Sequence, residues 1–264
     1  MMENNKTLPK ISIITPTLNQ AEFIEKTILS VLNQNYPDLE YLVFDGGSND
    51  GTQEILKKYS KDIKWRSEPD QGQSSAINKG LRICSGEIIG FINSDDQYEP
   101  SALLKVGNFF ASHPEAMWVT GKCKIINEYE KEVFSFVSFY KHILLRFHHP
   151  SLLGVVNYIP QPSTFWRREV LETVGFFDES LRYVMDYDYW FRLSQRYRLY
   201  FINEYLSKFR IYPSSKTWTS AVTQQDEEEN LVRRYVNSKF LISAHHFHRQ
   251  LNVSIYRFLQ KKMR

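Results

Sequence analysis

Residues 10–14 alternate and are β-branched, and the run stops at Thr15-Pro16-Thr17, the pattern of a strand entering a turn. Asn19 then stands where a helix would start, with Phe23, Ile24, Ile28, Val31 and Leu32 on one face at helical spacing. A second apolar run, 39–44, enters the turn-rich stretch Asp45-Gly46-Gly47-Ser48-Asn49-Asp50-Gly51, and a helical pattern follows over 52–59. The order repeats with a short strand at 63–67, a loop at 68–72, a helix over 74–83 and a strand at 87–92. Such alternation predicts an α/β fold, a parallel sheet with helices on both faces and a ligand crevice at the carboxyl ends of the strands.

Beyond Pro114 the rhythm changes. Strand patterns at 117–120 and 122–127 lead into an aromatic-rich stretch, 134–140 and 144–149, that resists assignment. Order returns with a strand at 161–167, a helix over 168–174 and a second over 186–197, which carries Tyr189, Trp190, Leu193 and Tyr197 on one face. Strands at 199–203 and 206–211 precede a turn, and the pattern from 224 onward is helical. The chain thus divides into 1–110, 111–220 and a helical tail, 221–264. There is no internal repeat and no low-complexity segment.

The chain has 264 residues, 42% of them hydrophobic and 15% aromatic, enough to bury a core in one large domain or two fused small ones. A formal net charge of +3 is too small to argue for nucleic acid as the principal partner. Cys84 and Cys123 belong to no metal-ligand spacing and are expected as reduced thiols. No apolar leader or bilayer-length run occurs, so the chain is expected in the cytoplasm. The stretch 245–264 mixes apolar residues with Arg249, Arg257, Lys261, Lys262 and Arg264. It suits peripheral contact with the inner face of a membrane, or packing on its own domain.

The chemistry concentrates at predicted strand ends. Asp95 and Asp96 follow an apolar run and Asn93-Ser94, where neighbouring acids repel unless a positive charge sits beside them. Hard oxygen ligands suit Mg²⁺ or Mn²⁺, so the pair reads as a cation and diphosphate clamp; a solvated turn uses the same residue types. Asp45, followed by two glycines, can accept a ring N–H from a nucleobase or close an Asx turn. Thr15-Pro16-Thr17 can set backbone groups against a base or simply end its strand. The helix opening at Gln73-Ser74-Ser75 and carrying Asn78 offers amides to an anion, though serines there also cap helices. Asp186 and Asp188 open a later helix, where one can face a cleft while the other caps; Gln161, Ser163 and the aromatic residues beside them could shape a sugar-sized pocket or fill the core.

Taken together, Thr15-Pro16-Thr17, the Asp45-Gly-Gly-Ser-Asn-Asp-Gly-Thr loop, Ala76-x-Asn78-x-Gly80, Asn93-Ser-Asp-Asp96 and Gln161-Pro-Ser-Thr-Phe with Met185-Asp-Tyr-Asp188 resemble the family 2 glycosyltransferases over 10–217. That resemblance implies a GT-A, Rossmann-like fold, with a central, mostly parallel mixed sheet flanked by helices and a helical C-terminal extension. It implies transfer of a sugar, with inversion, from a nucleoside diphosphate sugar to a glycan or lipid-linked acceptor, assisted by Mn²⁺ or Mg²⁺. Asn93-Ser-Asp-Asp96 takes the place of the family's DxD-type motif. By the same resemblance Asp186 is the catalytic base, Asp96 the metal ligand and Asp45 the base-reading acid, with Asp95 near the ribose or sugar. Thr15, Pro16, Thr17, Asn19, Gly46, Gln73, Asn78, Ser94, Gln161, Ser163, Asp188 and Lys216 complete the expected substrate-binding set. Two positions depart from the family pattern: Met185 precedes the base where glutamate is usual, and Tyr212 stands where a metal-binding histidine often does. A sugar-phosphate nucleotidyltransferase would also use a strand-end acid pair, but it usually opens with a basic, glycine-rich phosphate loop absent here. A non-catalytic nucleotide or glycan-binding module is the other alternative.

Overall fold

The computed structural model describes residues 7–219 and 223–262, with the side chains of the last helix described as far as residue 251. In chain order the elements are β1 (Ile11–Thr17), α1 (Ile24–Leu32), β2 (Leu39–Asp45), α2 (Thr52–Lys58), β3 (Lys64–Ser67), α3 (Gln73–Ile83), β4 (Ile88–Phe91), β5 (Gln97–Tyr98) and α4 (Ala102–Ser112). They continue with β6 (Trp118–Ile126), α5 (Ser135–Arg146), α6 (Pro150–Leu153), β7 (Thr164–Arg167), α7 (Val170–Val174), α8 (Met185–Ser194), β8 (Leu199–Arg210), α9 (Lys216–Thr219), α10 (Thr223–Tyr235) and α11 (Lys239–Lys262).

All eight strands form one sheet in the order β3-β2-β1-β4-β7-β6-β8-β5. The β3-β2-β1-β4 half is parallel, as the alternation of strands and helices requires. β7 then runs antiparallel to both β4 and β6, and β8 returns parallel to β6. The sheet is therefore mixed and continuous across both halves of the chain, and the expected boundary at 110 falls inside α4. Two cores cover its faces. One gathers Ile14, Phe91, Trp166, Tyr189 and Trp190; the other gathers Ile11, Ile13, Ile28, Val43 and Phe165.

Several expected boundaries shift for physical reasons. Thr15, Pro16 and Thr17 lie inside β1, paired with Val43, Phe44 and Asp45. Pro16 falls past the last residue of β1 that pairs with β4, so its missing N–H interrupts no ladder there. The helix expected from Asn19 begins at Ile24; Asn19 itself has a left-handed backbone, φ 52°, which asparagine tolerates. The two strands expected across 117–127 are one strand with a register shift at Gly121 and Lys122, where Leu206 and the Glu204 carbonyl leave no room for a side chain on Gly121. The strands expected at 199–203 and 206–211 also merge, into β8. The unassigned stretch after 134 contains α5. Both cysteines are buried and free.

Candidate functional site

The carboxyl ends of β1, β2 and β4 share one rim of the sheet, and the turn after each carries polar residues. Asp45 closes β2 almost fully buried, at 1% exposure. Its two oxygens accept from the amides of Gly47 (3.3 Å) and Ser48 (3.0 Å) and from the hydroxyls of Ser48 and Ser67. Four donors fill a carboxylate's acceptor sites, so a ligand N–H would have to displace one of the two hydroxyls, which can rotate. The Thr17 hydroxyl, level with Asp45, is buried and has no hydrogen-bond partner among the described residues. An orphaned hydroxyl there costs free energy unless a ligand satisfies it. Asn19 joins this rim: its amide donates to the Ser48 hydroxyl (2.7 Å) and its side-chain oxygen accepts from the Asn49 amide (3.0 Å). A Cβ on Gly46 would come within 3.1 Å of the Asp70 carboxylate, so glycine lets that acid close over the loop.

The two adjacent acids have different surroundings. Asp96, the expected metal ligand, is 0% exposed; it accepts the Arg210 amide at 2.8 Å and the Asn93 side-chain N–H at 3.3 Å. Burial and the neighbouring Asp95 push its pKa well above the ordinary aspartate value, with the Arg210 amide offsetting part of the rise. Enclosed in this way, Asp96 has no exposed surface, and Asp95 is the more open of the two acids. Asp95, by contrast, is partly exposed, and Tyr212 donates its hydroxyl to it at 3.1 Å. Burial raises its pKa too, opposed chiefly by that hydroxyl. Arg210, fully buried under the Phe23 ring, ties the loop down by donating to the carbonyls of Asp95 (2.8 Å) and Asn127 (3.0 Å). Thr27 does the same from α1, donating to the carbonyls of Ser94 (2.9 Å) and Asp96 (2.7 Å).

A chain of side chains links this acid pair to the second half of the protein. Asn93 donates to Gln161 (3.2 Å) and accepts from Gln73 (2.6 Å); Gln73 accepts from Lys216 at 3.1 Å, and Lys216 also donates to the Arg182 carbonyl. Gln161 in turn donates to the Phe91 carbonyl at 2.7 Å, so it braces the rim from beneath. The starts of α3 and α8 meet where the Ser74 hydroxyl contacts the Met185 sulfur at 2.7 Å, which sets Asp186 beside this network. Asp186 is partly exposed. Burial raises its pKa; the Tyr187 amide, at 2.7 Å, and the charges of Lys141 and Lys216 offset part of the rise. Glu228 on α10 lies in the same field, its pKa raised to about 7 by burial and, less strongly, by Asp186.

Other expected binding residues are engaged in contacts within the fold. Asp188 is 4% exposed, paired with Arg192 at 2.7 Å and held by the Tyr235 hydroxyl at 2.7 Å. Asn78 spends its amide on Phe177 N and O (3.0 and 2.9 Å) and on Glu179 (2.8 Å), clamping α3 to the turn after α7. Ser163 bonds the Lys122 carbonyl and the Ser207 hydroxyl within the sheet, and the Thr15 hydroxyl is taken by Tyr41. The sequence reading missed Asn93, Arg210, Lys141 and Glu228 as parts of the site. Asn93 alone carried a signal, as the first residue of the quoted acid motif.

The mixed eight-stranded sheet flanked by helices is that of the GT-A class of glycosyltransferase fold. The chain belongs to glycosyl transferase family 2, whose family model matches residues 12–175. It is 29% identical over 233 residues to an uncharacterised glycosyltransferase of Rickettsia typhi, across 87% of this chain and 72% of that protein. Poly-beta-1,6-N-acetyl-D-glucosamine synthase of Staphylococcus epidermidis is 27% identical over 178 residues, 65% of this chain and 42% of that one. Among solved structures, the mannosyltransferase PcManGT from Pyrobaculum calidifontis, in complex with GDP-Man and Mn²⁺, aligns over 92% of this chain and 70% of its own with a TM-score of 0.69. At 19% identity that likeness speaks for the fold.

Proposed function

We propose that this protein transfers a sugar, hexose-like in size, from a nucleoside diphosphate sugar to a hydroxyl of a glycan or lipid-linked acceptor, with inversion, in the assembly of a surface polysaccharide. What supports the reading is that Asp45 and Asp95 lie at or just past the carboxyl ends of the two strands flanking β1, while hydrogen bonds from Asn93 through Gln73 lead to Lys216, whose charge acts on Asp186. Asp45 and the unpartnered Thr17 hydroxyl suit the nucleobase end of the donor. Asp95 suits the diphosphate end.

Among the described residues no three of His, Cys, Asp and Glu come together to hold a metal ion, so Asp95 would share Mn²⁺ or Mg²⁺ with substrate phosphates and water. Asp95 fits that part because its carboxylate is accessible and Tyr212 still leaves it lone pairs. Bound there, the ion would neutralise charge building on the leaving diphosphate. Lys216, at the crevice side of Gln73, adds positive charge to the same end.

Asp186 takes the proton of the acceptor hydroxyl as that oxygen bonds to the anomeric carbon, and the bond from that carbon to the diphosphate oxygen breaks with its electron pair on the nucleotide. Burial makes Asp186 a stronger base than a solvated aspartate, which suits the task at neutral pH. The test is a panel of nucleoside diphosphate sugars with Mn²⁺, read by thermal stabilisation and by slow hydrolysis. One donor should stabilise the protein in a Mn²⁺-dependent way; no response to any member would overturn the reading.

A further inference from the structure

α5 presents an apolar face that is exposed among the described residues. Phe136, Phe139, Ile143 and Phe147 recur at helical spacing and are 78%, 62%, 43% and 70% exposed. Single exposed apolar residues are ordinary; four in line along one helix form a patch, and such patches mark contact with a partner or a membrane. The inward side of the helix is accounted for. Ser138 and Leu145 are buried beneath it, His142 hydrogen-bonds Cys123, and Lys141 turns toward Asp186.

The segments that build this face are poor in acids. From 133 to 168 the chain carries no aspartate or glutamate, although it has 30 such residues overall, and none lies between Asp188 and Glu204. At its carboxyl end the stripe meets a cavity of about 650 Å³ walled by Arg146, His148, Arg196, Tyr197, Arg198 and Tyr200. None of the three arginines there has an acidic partner among the described residues; Arg198 lies over the Tyr200 ring instead. Phe147 lies between Arg146 and His148 in the chain, so the apolar stripe ends at the residues that wall the cavity.

We propose that this surface docks on an anionic lipid bilayer, with the α5 phenylalanines entering the acyl boundary and the arginine-lined cavity taking lipid phosphates. A row of exposed aromatic and aliphatic side chains beside a cluster of exposed arginines is an arrangement by which a helix lies in a membrane interface. A surface built to pair with a second protein copy would instead place acids opposite these arginines. The site is distinct from the basic stretch at 245–264, most of whose side chains lie outside the described residues. It also stands independently of the donor chemistry, because its readout is binding alone.

The experiment uses the full chain and sedimenting vesicles, either phosphatidylcholine alone or phosphatidylcholine mixed with phosphatidylglycerol. The protein should sediment with the mixed vesicles and release in high salt. Substituting Phe139→Ser with Phe147→Ser should weaken partition about thirtyfold, from the apolar area no longer buried. Arg196→Gln with Arg198→Gln should weaken it about tenfold or more, from the lost attraction to phosphates. Both variants should keep the parent melting temperature within about a degree, since the replaced side chains are exposed. Equal partition of the parent and the phenylalanine variant would overturn the proposal. So would a parent that ignores both vesicles but forms a dimer that the phenylalanine variant cannot, which would make a second copy the occupant.

Discussion

Replacing Glu40 by glutamine removes one charge from the base of the donor half, and its cost can be worked from the partners. The carboxyl group is 7% exposed and accepts from the Ser12 hydroxyl (2.6 Å), the Ser85 amide (2.7 Å), the Ser85 hydroxyl (3.1 Å) and the Lys64 ammonium (2.9 Å). It thereby ties β2 to β1 and to the loop before β4. Burial alone would raise its pKa; those donors, Ser12 first, outweigh burial and hold it down to about 2 against an ordinary 4.5. With the folded-state value depressed, the unfolded chain binds the proton more readily. The stabilisation is therefore fully present above about pH 4.5 and is lost as the pH falls toward 2. A shift of that size corresponds to roughly 3 kcal/mol, somewhat less because Lys64 is largely solvated and its share is screened. Glutamine keeps the shape but turns an NH₂ toward donors, so a loss of about 2–3 kcal/mol at pH 7 is expected. Urea unfolding followed by circular dichroism at several pH values measures the gap between parent and variant. It should shrink by more than half by about pH 3. A gap below about 0.5 kcal/mol at neutral pH, or one that stays constant on acidification, would refute the reasoning.

Asp186→Asn should lower turnover at least about a hundredfold while donor affinity, read by calorimetry, stays near the parent value; near-normal turnover would remove Asp186 as the base. Lys141→Met removes a positive neighbour that holds Asp186 down, so the acidic limb of kcat/KM against pH should move to higher pH; a limb that stays put or moves down would show that Lys141 does not act on Asp186. Asn78→Ala cuts the clamp between α3 and the 177–179 turn and should cost about 2–4 kcal/mol in unfolding with little change in donor KM. A raised KM without loss of stability would restore Asn78 to the binding set.

What could be read from the sequence was whatever depends on neighbours in the chain. The β-branched runs at 10–14 and 39–44 specified the parallel half of the sheet, and strand-end placement alone picked out Asp45 and the acid pair. What could not be read depends on contacts across long separations. Asp96 and Asp95 are adjacent, yet the Arg210 amide encloses one and leaves the other open, an asymmetry set by a strand more than a hundred residues away. The Tyr235 hydroxyl on Asp188 and the Phe177 and Glu179 contacts of Asn78 are likewise distant in sequence, whereas the Asp188–Arg192 pair is a local i,i+4 contact. α5 escaped assignment because its apolar residues lie on its outward face as well as its inward one, so no single hydrophobic side stood out. The two expected strands join into β8 because Glu204 and Tyr205, which separate them in the pattern, lie within the strand at the shift in pairing with β6.

On the proposed reading Asp95, and not Asp96, meets the cation carried with the donor. Titrating Mn²⁺ into the protein with a bound nucleoside diphosphate, followed by electron paramagnetic resonance of the free ion, separates the two acids. Asp95→Asn should abolish nucleotide-dependent Mn²⁺ binding, whereas Asp96→Asn, which mimics the neutral acid favoured by burial, should change the affinity by no more than about threefold. Loss of Mn²⁺ binding in Asp96→Asn with retention in Asp95→Asn would contradict it.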